Sequence, residues 1–151
     1  MRPCPGYAED GVLQELFSII GTSKNPFCVE FGELRVLGTT TRSFRIRYLA
    51  DALYFASSLD AKSRVLNILD IVKVSFKMSN FRYFKYLFWL PKKREITPNN
   101  VLKLLRECLH REVDLMVIDI DSYDFQVAEA VLENSIFPKV LVVEYNPNFP
   151  S

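Results

Sequence analysis

Residues 113–120 read VDLMVIDI, and this strongly apolar run, interrupted only by Asp114 and with a second acid near its end, constrains the fold more than any other segment. Apolar side chains at successive positions mean burial on both faces, which is the condition of a strand inside a parallel sheet. Four other segments read as strands: residues 27–31, 53–56, 71–76 and 140–145, of which 71–76 has the polar alternation of a strand nearer an edge. Helical patterns lie between several of them. Residues 7–20 place Val12, Leu13, Leu16, Phe17 and Ile20 on one face, with Glu9 and Asp10 in the first turn and Gly21 as a stop. Thr97 is placed to cap a second helix and Pro98 to start it, and Val101, Leu102, Leu104, Leu105 and Leu109 form its apolar face. Residues 125–132 form a third, with Phe125, Ala128, Val131 and Leu132 at helical spacing. Strands alternating with helices predict an α/β fold with a mostly parallel sheet, its topology restricted by the right-handed crossover rule.

Two segments fit this scheme less simply. Residues 39–49 alternate Phe44, Ile46 and Tyr48 with Arg45 and Arg47, as a strand would, but the alternation of elements calls for a helix there, and a helix is expected. Residues 78–94 are dense in aromatic and basic side chains, and their place in the fold does not follow from the pattern. Stacking on single-stranded nucleic acid or contact with a membrane surface are minor readings of that stretch; an insertion or part of the core is the more frequent cause.

Composition removes several classes of function. The formal net charge of +1 gives no reason to expect nucleic acid as a partner. No run reaches the roughly 20 apolar residues of a membrane span, and Met1-Arg2-Pro3-Cys4-Pro5-Gly6 does not open a secretory signal. Cys4, Cys28 and Cys108 are odd in number and lack CxxC spacing, so reduced thiols and a cytoplasmic location are expected. With His110 as the single histidine, histidine-rich metal sites are excluded.

Chemistry is concentrated where strands end. The first strand ends in Glu30-Phe31-Gly32, the fourth in Asp119-Ile120-Asp121-Ser122-Tyr123-Asp124, and the fifth in Glu144-Tyr145-Asn146. Ligands of open α/β sheets bind beyond the carboxyl ends of the strands. A glycine there lets a ligand approach the backbone, and an acid can hold an amino or hydroxyl group. Each motif alone is common, and a solvated turn is the simpler account of any one of them. Alternation puts Asp119 and Asp121 on the same side of their strand. Crowded carboxylates raise at least one pKa unless a cation or donors compensate. An Asp-x-Asp pair can also hold a divalent cation. If the fourth and fifth strands are neighbours, Glu144 lies beside Asp119.

Taken in order, Tyr7-Ala8-Glu9-Asp10-Gly11, residues 27–32 (FCVEFG), 96–101 (ITPNNV), 114–125 (DLMVIDIDSYDF) and 142–147 (VVEYNP) resemble the FkbM-type methyltransferases, a branch of the class I S-adenosylmethionine-dependent superfamily. The resemblance covers roughly residues 7–38 and 95–151. It implies a Rossmann-like three-layer sandwich and S-adenosyl-L-methionine as cofactor. Glu30, Gly32, Asp60, Glu144 and Asn146 would then bind the cofactor. Asp119, Asp121 and Asp124 would line the catalytic mouth, with Asp119 or Asp121 as the base for methyl transfer to an oxygen of an unknown acceptor. The chain departs from the family at four points. Leu34 and Val36 stand in the glycine loop where small residues are usual, which predicts weak cofactor binding. The second strand runs through Ala56-Ser57-Ser58-Leu59 before its first acid, Asp60, and Ser122 replaces the usual glycine after Asp121. The chain stops at Ser151, where such folds run on for two more strands. The expectation is therefore one domain, residues 1–151, with its C-terminal strands missing and the edge of the fifth strand open to self-association. Two other readings stand beside the enzyme: a non-catalytic remnant acting as an interaction module, and, last, a metal-dependent transferase using Asp119 and Asp121.

Overall fold

Two right-handed crossovers that leave a parallel strand in opposite directions must place their helices on opposite faces, and the chain is arranged in this way. A computed structural model describes residues 8–32, 40–56, 92–93, 95–106, 110–121 and 123–145. Helix α1 (Ala8–Ile20) precedes strand β1 (Phe27–Gly32), followed by α2 (Thr41–Tyr48), β2 (Asp51–Ala56) and the two-residue β3 (Lys92–Lys93). Helix α3 (Val101–Leu105), β4 (Leu115–Asp119), α4 (Asp124–Glu133) and β5 (Val140–Val143) complete the order. The five strands form one parallel sheet in the order β3-β2-β1-β4-β5. The fold is α/β, as expected. Residues 71–76 and 78–91, Asp60, Asn146 and the glycine-loop residues 33–38 lie outside the described residues.

Alternation in the strands divides the core in two. Val29, Phe31, Leu53, Phe55, Met116 and Ile118 meet Val101 and Leu105 of α3 and Val127 and Val131 of α4. On the other face, Cys28, Leu115 and Val117 meet Leu13 and Phe17 of α1 and Phe44 of α2. Phe17, Phe44 and Tyr48 form a ring cluster there, with centroids 4.5–5.9 Å apart. β1 and β4 are buried along almost their whole length, as their mainly apolar sequences lead one to expect.

Each of the four helices departs from the sequence pattern in one respect. Residues 41–48 are helical despite their alternation, because the crossover between β1 and β2 needs a helix and Phe44 packs onto Phe17. α3 begins at Val101, not at Pro98, because Thr97–Asn100 is a turn. The Thr97 amide donates to the Asn100 side-chain oxygen at 3.0 Å, and the Val101 amide to the Thr97 carbonyl at 3.1 Å. In α4 the buried stripe is Asp124, Val127, Ala128 and Val131, while Phe125 is 78% exposed. Asp124 turns inward because its carboxylate accepts the Ile120 amide at 2.7 Å, and this sets the rotation of the helix. In α1 only Leu13 and Phe17 of the expected face are buried, and Val12, Leu16 and Ile20 are exposed.

The amino ends of β1 and β4 are tied together by Asp114, whose side chain is fully buried. It accepts the Ser23 amide and hydroxyl at 2.6 and 2.7 Å and the Phe27 amide at 3.0 Å, and pairs with Lys139 at 3.2 Å. Burial would raise this carboxyl, but these hydrogen bonds outweigh it and hold it below the usual value.

Candidate functional site

Strand order reverses between β1 and β4: β2 and β3 lie on one side of the pair, β5 on the other. This switch point is where open α/β sheets bind ligands, outside the carboxyl ends of the strands. Gly32 and Asp119 sit opposite each other there, in register. One strand further, Ile118 pairs with Val143, which places Glu144 next to Asp119. The Glu144 amide donates to the Ile118 carbonyl at 2.8 Å, extending the ladder past β5. Three of the sequence-predicted residues are thus brought to one sheet edge.

The acids at this edge form a tight group. Carboxylate oxygens of Asp119, Asp121 and Glu144 lie within 4.8 Å of one another, and all three residues are exposed. Glu144 shares a side-chain hydrogen bond with Asp119. Partial burial, then the Asp119 charge and this hydrogen bond, then the charges of Asp121 and Asp124, push Glu144 up to about 7. Asp121 adopts φ 60°, a left-handed conformation that aspartate tolerates better than most residues. Asp124 is buried, and one of its oxygens accepts the Ile120 amide, so it holds the turn that presents Asp121. Chemically, such a group can share and release a proton near neutrality, or share a cation among its oxygens.

Gly32 has a structural reason to be glycine. A Cβ there would stand 2.4 Å from the Asp119 backbone oxygen, so the close approach of β1 and β4 leaves no room for a side chain. Glu30 is 8% exposed and leaves β1 on the face that carries α2. Its carboxylate accepts the Thr41 amide at 3.3 Å and the Thr41 hydroxyl, at the N-terminus of α2. The Thr41 hydroxyl also bonds the Tyr54 hydroxyl at 2.9 Å, which accepts from Arg45 at 2.9 Å. Burial pushes Glu30 up to about 7, against the lowering effect of the bonds from Thr41. Glu30 is therefore near the switch point but turned towards α2, apart from the cluster at Asp119.

Cys28 lies in the same buried region, where burial pushes its thiol up to about 12 and keeps it protonated. A cavity lined by Leu105, Arg111, Glu112, Val113, Ser135 and Ile136, with Phe137 beside them, lies at the amino end of β4, at the opposite end of that strand from Asp119.

Thr41, Tyr54, Arg45 and Asp114 were not singled out by the sequence. The threonines preceding α2 are a helix-start signal that bears on Thr41. No local signal marks Tyr54, Arg45 or Asp114, because their partners are distant in sequence. Among the described residues, no helix is long and apolar enough to cross a membrane. No family model matches the chain, and no curated protein or solved structure is significantly similar to it.

Proposed function

We propose that this chain is a methyltransferase-like domain of the Rossmann-like, three-layer class, binding S-adenosyl-L-methionine at the carboxyl ends of β1, β4 and β5 and serving methyl transfer to an oxygen of its acceptor. One observation carries this reading: Asp119 and Glu144, on adjacent parallel strands, meet at the switch point of the sheet opposite Gly32. The donor set suits the cofactor in charge, since its sulfonium and amino groups are cationic and the edge gathers Asp119, Asp121 and Glu144. Glu30 suits it less well, because its carboxylate is already engaged by Thr41.

When bound, S-adenosyl-L-methionine supplies an electrophilic methyl group. The chain's own part is to orient the acceptor and take its proton. We assign that proton to Asp119, with Asp121 beside it. Glu144 modulates Asp119 through their shared hydrogen bond.

Calorimetry with S-adenosyl-L-methionine and with its demethylated product tests the proposal. Binding at a dissociation constant weaker than about 1 µM (roughly −8 kcal/mol) is expected, since the sequence carries Leu34 and Val36 where the resemblance calls for small residues. Asp119→Asn should lower any methyl transfer by about 10²- to 10⁴-fold, the usual weight of a general base. Absence of binding by a folded chain would sink the proposal.

A second reading, a non-catalytic interaction module, is favoured by a specific observation. Two expected cofactor residues already serve the fold: Glu30 holds the start of α2, and Gly32 admits the Asp119 carbonyl. Failure of both ligands to bind, with the melting transition intact, would select it.

A further inference from the structure

Helix α2 does not cap itself. Thr40, in the N-cap position, makes no side-chain hydrogen bond to the first turn. The cap comes from β1. One oxygen of the Glu30 carboxylate, Oε2, accepts the Thr41 amide at 3.3 Å and the Thr41 hydroxyl, and the carboxylate also receives the Thr40 amide. At eight residues α2 has few internal hydrogen bonds, so its start depends on this cap. Glu30 and Thr41 are both buried, and the first turn of α2 is the described segment seated on the carboxylate.

The hydrogen bonds around Glu30 have a fixed polarity. Arg45 can only donate, so its bond to the Tyr54 hydroxyl at 2.9 Å leaves the Tyr54 proton for the Thr41 oxygen, also at 2.9 Å, and the Thr41 proton for Glu30. Arg45 therefore reaches Glu30 through two hydroxyls and not as a direct ion pair. Cys28, from β1, also faces this site and stays protonated. On the same face α1 and β4 contribute the apolar Leu13, Phe17, Leu115 and Val117. A carboxylate here is bonded by its cap but is out of water, with no described cation in contact. A proton on the other oxygen, Oε1, removes the charge and leaves Oε2 free to accept both Thr41 donors, so the relay survives protonation.

We propose that Glu30 is a proton-operated cap of α2: its protonated side chain holds the first turn closed, and its ionisation opens that turn. Burial disfavours the carboxylate and the bonds from Thr40 and Thr41 favour it, and burial prevails, since Glu30 is pushed up from 4.5 to about 7. Opening the first turn returns the carboxylate to water and to its ordinary value, so ionisation shifts the balance towards the open form. The movement is confined to the first turn, because Phe44, three residues on, is buried and packs on Phe17 at 4.5 Å. Glu30 lies two residues before Gly32 on β1, so the proton acts at the carboxyl end of the sheet, whatever the neighbouring acids bind.

Residue-resolved amide exchange on the full chain, between about pH 5 and 8, tests the proposal, with the pH dependence of intrinsic exchange divided out and the Val117 and Ile118 amides of β4 as the reference for global opening. Relative to that reference, the Thr41 amide should open at least about tenfold more often at neutral pH than at about pH 5, the weight of one unit of pKa. The rise should level off as the Glu30 carboxyl, followed by NMR, completes its titration. Glu30→Gln cannot ionise and should make the ratio independent of pH. If that variant does not fold, the agreement between exchange and titration in the unaltered chain decides alone. A ratio that stays flat or falls over this range overturns the proposal, and so does a rise that persists in Glu30→Gln or continues past the Glu30 titration.

Discussion

Glu144 follows Asp119 across the register of two parallel strands: Ile118 pairs with Val143, the Glu144 amide donates to the Ile118 carbonyl at 2.8 Å, and the two carboxyl groups share a hydrogen bond. Acids this close favour one shared proton. Glu144 is raised from 4.5 to about 7, so the folded chain keeps a proton there that the unfolded chain releases. Its stabilisation is complete below pH 4.5 and is lost as pH rises through about 7. Glu144→Gln should flatten this part of the pH dependence and raise stability at alkaline pH by about 0.5 kcal/mol, an exposed site being screened. Urea midpoints of both proteins at several pH values check this; parallel curves would exclude a shared proton.

Gly32→Ala should be costly although it adds a single methyl group. The new Cβ would meet the Asp119 backbone oxygen at 2.4 Å, and a strand carbonyl cannot rotate away as a flexible side chain does. β1 and β4 would have to part locally, at a cost of about 1–3 kcal/mol, the usual range for overpacking. Because this happens at the acid cluster, the same variant should alter the Glu144 titration. Denaturation and carboxyl NMR measure the two effects separately.

Thr41→Val keeps the shape of Thr41 and removes its hydroxyl. Glu30 and the Tyr54 hydroxyl both lose a partner in a buried site, at an expected cost of about 1–3 kcal/mol. The Thr41 hydrogen bond lowers the Glu30 pKa, so the variant should raise it further above about 7. The sign for stability is that of a raised carboxyl: present below the unfolded value and lost as pH rises through the folded one. A Glu30 titration that does not move would show that the hydroxyl has no hold on the carboxylate.

Asp114→Ala should be among the most damaging single changes. It leaves the Ser23 and Phe27 amides without their acceptor and deletes the carboxylate that pairs with Lys139. Leaving buried donors without an acceptor costs about 1–3 kcal/mol each. The Asp114 pKa is lowered, so its contribution is present above the ordinary value of 3.8 and disappears as pH falls through the folded one. Acid unfolding of the wild type and the variant checks both claims, and the variant should lose that part of the acid transition.

Much of the fold was readable locally. The apolar runs at residues 27–31, 53–56, 113–120 and 140–145 coincide with β1, β2, β4 and β5 to within two residues or so at each end, because burial on both faces leaves a mark along the strand. Helix faces were less legible. Phe125 was expected in the core and is exposed, since the inward turn of Asp124 rotates α4 and periodicity cannot register a carboxylate bound to its own chain four residues back. At the site, Asp119, Asp121 and Glu144 were legible as strand-end acids, and Asp124 is now seen to hold the turn between them.

By itself, the sequence determined the period of each segment, the class of fold and the set of acids that close the strands, because these follow from side-chain polarity and local backbone preference. Tertiary structure alone decided which acids touch. Strand order placed Glu144 beside Asp119, and side-chain alternation in β1 turned Glu30 towards Thr41. It also decided that Gly32 is needed for the approach of a neighbouring backbone, and that β5 lies at one edge of the sheet formed by the described residues. The physical reason is distance along the chain. Hydrogen bonds between strands join residues tens of positions apart, and no local pattern encodes which distant carbonyl a given amide will meet.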